Sequence, residues 1–169
     1  MLNTTRKLRK RFIEFINQFS AEELNSIPVG YNNNIIWNFG HAIVTHQLLT
    51  YGLSGLTPPM DPKWIQMFRK GSKPERSLTE DEINELKYLA LYLLEKLDED
   101  QVAGIFRKYE SYVTGLGVRI HTVAEAVEFN NVHEGVHLGY ALGMRKALQY
   151  EEEQQEEDIV QKEAVVVSQ

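Results

Sequence analysis

Residues 79–97 read TEDEINELKYLALYLLEKL, and this stretch decides the fold class. Thr79, followed three residues later by Glu82, is the signature of a capping box, in which side chain and backbone satisfy each other's free donors at a helix start. Behind it, Ile83, Leu86, Ala90, Leu93 and Leu97 fall at heptad a/d spacing. Such a helix is a packing surface that needs other helices to cover it.

Working outward, the same periodicity recurs. Leu8, Phe12, Ile13, Phe15, Ile16 and Phe19 predict a first helix over about Thr4 to Gln18, and an apolar segment predicts a second over about Asn33 to Tyr51. Asp61-Pro62 opens a short helix that Gly71 closes. A shorter helical segment is expected over about Asp98 to Tyr112, ahead of the glycine-broken loop Thr114-Gly115-Leu116-Gly117. Thr122 and Glu125 form another capping box, opening a last long helix that runs to about Gln149. The five prolines, at 28, 58, 59, 62 and 74, all lie between these segments, where they break nothing. No segment has the two-residue period of a strand. The expectation is therefore an all-α fold, an antiparallel four-helix bundle with short extra helices in its connections, over residues 1–150. An acidic C-terminal tail, 151–169, either extends the last helix or frays.

Charge narrows the partners. The formal net charge is −6, and the tail alone, with seven acids against Lys162, carries all of it; the other 150 residues balance 17 bases with 17 acids. A neutral body gives no footing for nucleic acid, which needs a basic face. The basic run Arg6, Lys7, Arg9, Lys10 and Arg11 is expected to lie on the outer, solvated face of the first helix. No apolar stretch approaches the ~18 residues of a membrane span. With no signal-like segment at the N-terminus and no cysteine, a cytoplasmic location is expected.

Without cysteine, histidine is the strongest ligand left for a transition metal. The last helix contains His133-Glu134-Gly135-Val136-His137. Histidines four apart are ~40° apart around a helix, so both imidazoles can reach one ion at ~2.0–2.1 Å. Locally hydrogen-bonded histidines at this spacing are the plainer reading. In the second helix His41 shares a polar stripe with Asn34, Asn38 and Thr45 inside an otherwise apolar segment, and polar groups so placed must be satisfied. An ion bridging His41, His133 and His137 would do so, with Asn38, Asn130 or Tyr140 orienting the ligands or facing a substrate. Gly40 would allow close approach. His46, ~140° around from His41, is expected at the surface or an interface, and His121 in a loop. Glu134 points ~100° away from His133 and is not assigned as a base.

The string Trp37-Asn38-Phe39-Gly40-His41, with the later His133-x-x-x-His137 followed by Leu138-Gly139, resembles the DinB-like (DinB/YfiT-like) helical bundle superfamily in motif order and separation over about residues 1–150. The resemblance implies a four-helix bundle, often a homodimer, with a tri-histidine site for zinc or nickel at His41, His133 and His137. It also implies small-molecule chemistry, either hydrolysis or transfer with a low-molecular-weight thiol. Many relatives carry Arg-Gly-Gln after the final histidine, where this chain has Leu138-Gly139-Tyr140. Three neutral nitrogens leave a coordination position open, as in catalytic rather than structural sites. The alternative is a non-catalytic, metal-stabilised bundle that acts as a dimeric scaffold.

Overall fold

A computed structural model describes residues 2–167. Among them, the chain forms helices α1 (Asn3–Ile16), α2 (Ala21–Asn25), α3 (Ile35–Thr50), α4 (Pro62–Phe68), α5 (Glu80–Val102) and α6 (Val123–Val167). A 3-10 turn (Gly52–Ser54) and two short strands, β1 (Tyr112–Val113) and β2 (Arg119–Ile120), complete it. The molecule is mostly helical, as the periodicity requires. No described helix is long and apolar enough to cross a membrane.

The helix starts follow their caps. Thr79 Oγ1 accepts from Glu82 N–H while the Glu82 carboxylate takes the Thr79 N–H. At α6, Thr122 Oγ1 accepts from Glu125 N–H, but the Glu125 carboxylate reaches one residue further back, to the N–H of the exposed His121, at 2.7 Å. A second complete box, Ser20 with Glu23, starts the short α2, which the periodicity does not reveal because five residues are too few to show one.

Three expectations are corrected. The segment Asp98 to Tyr112 is not a separate helix. α5 continues to Val102 and stops because Gly104, at φ +67°, takes the left-handed conformation that ends a helix and that residues with a Cβ avoid. The chain beyond it lies over the body, held by Tyr109 Oη donating to Leu49 O and by Glu110 N–H donating to Leu53 O. The glycine-broken loop is the turn of a small antiparallel hairpin, Tyr112 opposite Ile120 and Val113 opposite Arg119, so a strand pair exists where none is expected. α6 runs past the expected end near Gln149, unbroken through the acidic segment to Val167, which is the first of the two alternatives for the tail, and Glu151 reaches back to accept from Val29 N–H at 2.7 Å.

α3 is the central element. α1, α2, α4, α5 and α6 all pack on it, and of its sixteen residues only Thr45 and Leu48 escape full burial. Around it the main core cluster gathers Phe12, Ile36, Phe39, Ile43, Leu86 and Met144, with two smaller clusters beside it. Each such side chain contributes ~1.5–3 kcal/mol by leaving water.

Two further expectations reverse inside that core. Arg9 is 1% exposed rather than solvated, and His46 is 0% exposed rather than at the surface. From α1, Arg9 donates through Nε and Nη2 to Glu134 Oε1 on α6 at 3.0 and 2.8 Å. Its Nη1 donates to Ala90 O on α5 at 2.7 Å, and Nη2 also donates to His46 Nδ1 on α3 at 2.9 Å. Asn130 adds its amide to the same Glu134 oxygen at 2.7 Å. One guanidinium therefore joins four helices. Because Arg9 can only donate, His46 Nδ1 accepts and the ring is neutral; burial first, then the charge of Arg9, hold its pKa well below the usual histidine value. Removing one partner leaves the other charge buried and alone, so Arg9→Met or Glu134→Leu is expected to cost about 3–5 kcal/mol in urea unfolding. The double variant is expected to recover much of that loss, and purely additive losses would show that the pair does not act as a unit.

Candidate metal centre

The three histidines meet. One ring nitrogen from each of His41, His133 and His137 lies within 4.8 Å of the other two, and the ring centroids are 4.5 to 5.2 Å apart. Each ring has a local reason for its place.

His41 depends on the glycine before it. A Cβ on Gly40 would stand 2.7 Å from the Phe68 ring, so only glycine lets α4 lie against α3 at this point. That approach brings the Phe68 carbonyl to 2.6 Å from His41 Nδ1. A carbonyl only accepts, so Nδ1 carries the hydrogen and Nε2 the free lone pair. Trp37, one turn earlier, stacks on the imidazole at 4.7 Å and 10°, its own Nε1–H donating to Ser72 Oγ at 3.3 Å. Thr45, one turn later, has Oγ1 3.3 Å from His41 Nε2.

His137 is held in the same way by Asn38. The Asn38 amide nitrogen donates to Asn34 O and Asn33 Oδ1, which turns its carbonyl oxygen toward His137 Nδ1 at 2.8 Å. Again Nδ1–H donates and Nε2 is left free. His133 completes a near-equilateral triangle of rings and stacks on Phe129; its Nδ1 is buried and has no hydrogen-bond partner among the described residues. The unmatched Nδ1 of His133 and the Nε2 lone pairs of His41 and His137, that of His41 shared with the Thr45 hydroxyl, fit a metal-binding set.

Burial holds all three rings neutral. It is the main cause of each shift: the pKa of His133 falls to about 4 and that of His137 to about 3, neighbouring histidines adding to both, and that of His41 is lowered against the opposing pull of the Phe68 carbonyl. Neutral imidazole is the ligating form, so near pH 7 protons do not compete for the site.

The other residues singled out in the sequence are placed as follows. Asn38 meets His137, as described. Asn130 is fully buried and gives its amide to Glu134, one turn along the helix. Tyr140 is 46% exposed, its ring 5.3 Å from that of Tyr31. Neither Asn130 nor Tyr140 hydrogen-bonds to a histidine of the triad. Glu134 turns away from His133 toward Arg9, as its angle on the helix requires. Thr45 and Trp37 stand in the polar stripe and the motif around His41, but their contacts with its ring, and the Phe68 carbonyl altogether, escape a reading based on ligand spacing; Gly40 beside His41 is the one signal of close approach.

A pocket of about 510 Å³ opens on His41 and His133, with the β1–β2 hairpin forming part of its wall. Trp64 is not in it but buried in the core, donating through Nε1 to Glu85 at 2.9 Å, and Met67 lines a separate cleft.

The family model of the DinB superfamily matches residues 4–141, a span that contains all three histidines and every helix that positions them. The chain belongs to the DinB superfamily. No curated protein matches it. Within this DinB-superfamily chain the site is built by α3, α4 and α6, and the acidic end of α6 lies beyond the matched span.

Two outcomes are expected. Gly40→Ala forces Phe68 away from α3, costing about 1–3 kcal/mol of overpacking, and weakens metal uptake by freeing His41 Nδ1. Normal zinc affinity in that variant would show that the Phe68 contact does not orient the ligand. Without metal, in a chelator, the folded state resists protonating rings that the unfolded chain protonates near pH 6.5. Above that pH both states are neutral and stability is flat; below it the unfolded chain binds more protons, so the urea midpoint falls as pH drops from 6.5 to 5. An unchanged midpoint across that window would contradict the lowered histidine values.

Proposed function

We propose that this protein is a metal-dependent enzyme acting on a small molecule, either a hydrolase or a transferase using a low-molecular-weight thiol. The observation that carries the reading is three neutral imidazoles converging beside an open pocket, with the Nδ1 hydrogens of His41 and His137 engaged by Phe68 and Asn38. That donor set suits zinc, nickel or iron and does not discriminate strongly among them; zinc or nickel is the assignment made here. When bound, the ion supplies Lewis acidity, lowering the pKa of a water or thiol and polarising an electrophile.

The protein's own part is orientation and exclusion. Phe68 O and Asn38 Oδ1 fix the tautomers of two ligands, as carbonyls and carboxylates commonly do behind ligating histidines. Trp37 blocks one face of His41. Thr45 Oγ1 is placed to hydrogen-bond a reacting group near His41 Nε2. The pocket brings substrate to the side of His41 and His133 that Trp37 leaves open. An antiparallel arrangement of the long helices, paired as a homodimer, belongs to this same reading.

The test begins with elemental analysis of protein prepared without a histidine tag, which is expected to contain one divalent ion per chain. His137→Ala is expected to lose most of that ion while circular dichroism stays near the parent's; undiminished stoichiometry would remove His137 from the site. In the cobalt-substituted protein a small thiol is expected to change the visible spectrum. A spectrum indifferent to thiol, together with no exchangeable water, would point to a saturated ion that only stabilises the fold.

A further inference from the structure

The pocket beside the histidines has a chemical character of its own. Its walls come from α3 through Leu48 and Leu49, from α6 through Phe129 and Val136, and from the hairpin through Tyr112 and Leu116. No carboxylate lines it. Its only ionised side chain is Lys70, which follows α4 and makes no ion pair among the described residues. Its other polar side-chain groups are the Thr45, Tyr112 and Thr114 hydroxyls and the neutral His41 and His133 rings, and Thr114 Oγ1 already accepts from Val118 N–H at 3.1 Å.

These features select a ligand class. A volume of about 510 Å³ lies within the ~300–1,000 Å³ typical of small-molecule sites. An apolar wall rewards hydrocarbon or aryl surface and penalises a polar body that cannot be matched. A lone cation at the pocket, with no acid beside it, attracts one anionic group and repels an amine. Val136 and Leu116 are 57% and 65% exposed, so the apolar surface reaches out to the mouth, where a ligand enters.

We propose that this pocket binds an amphiphilic carboxylate, a molecule with an apolar acyl or aryl body and a single carboxylate that pairs with Lys70. Taken as the substrate class of the histidine site, the proposal rests on the functional reading above. The body lies along Leu48, Leu49 and Phe129 and brings the groups next to His41 and His133 within reach of that chemistry. The hairpin covers the body through Leu116, and its glycines 115 and 117 sit in the turn, where Gly117 adopts φ +77°.

The test is done on the full chain in a chelator, so that it reads the pocket without the ion and can succeed or fail independently of the metal assignment. Isothermal titration calorimetry compares octanoate, octanol and octylamine, then hexanoate and decanoate. Octanoate is expected to bind best and octylamine worst, with affinity rising about fourfold per added methylene. Lys70→Met, a surface change that leaves the core intact, is expected to weaken octanoate about threefold or more and leave octanol unchanged. Val136→Trp, with helical content checked by circular dichroism, is expected to fill the mouth and abolish binding of all the probes. Equal affinity for octanoate and octylamine, an unaltered octanoate affinity in Lys70→Met, or binding that persists in folded Val136→Trp would each overturn the proposal.

Discussion

A single buried guanidinium sets the geometry on which the rest of this molecule depends. Arg9 touches α6, α5 and α3 from its place on α1, and its partner Glu134 is the residue next to His133. Apolar packing alone permits helices to slide by a turn at modest cost, because one leucine fits a groove about as well as the next. A charge pair that is 1% and 2% exposed permits no such sliding, since any other register leaves a charge without its partner. The pair adds little to net stability over an apolar replacement of the same shape. What it contributes is discrimination among packings that hydrophobic burial would otherwise leave close in energy.

That discrimination reaches the histidine triad through one peptide unit. On a helix, neighbouring residues point ~100° apart, so when Glu134 is fixed against Arg9, His133 is turned toward α3 and His137 follows one turn later. On α3 the corresponding device is different. His46 accepts from Arg9 and His41 lies five residues earlier on another side of the same helix, where it meets the triad. The two helices that supply the ligands are thus referenced to the same side chain. α4 then supplies the fine adjustment, its Phe68 carbonyl holding the His41 ring while Gly40 leaves the room.

How much of this the sequence discloses depends on the range of the interaction. Local signals read correctly: the Thr79 box, the Thr122 cap, Pro62 at the start of α4 and the four-residue spacing of His133 and His137 all act within one or two turns. Meeting across the chain was legible for His41 because a histidine among Ile35, Ile36, Phe39 and Ile43 must find a partner. Arg9 is the converse case. It lies in a run of bases, and only the Glu134 of a helix more than a hundred residues away makes its burial tolerable, which periodicity cannot express. His46 follows Arg9 into the interior. Gly104 is a local signal too, marking where α5 gives way to the strap that holds the hairpin against the body.

The same hairpin shows why a site of this kind combines a rigid wall with an adaptable one. His41, His133 and His137 are on long helices whose positions are over-determined by core packing, as ligand atoms must be when small displacements matter. The wall opposite is a two-residue strand pair around a glycine-containing turn, fixed to the body mainly through Tyr109, Glu110 and the buried Ile120. Few contacts restrain its tip, so changes there alter the shape of the pocket at little cost to the fold. Leu116 and its neighbours can therefore vary while the three histidines and the Arg9 pair stay as they are, and that separation lets one helical frame keep its triad while its pocket changes.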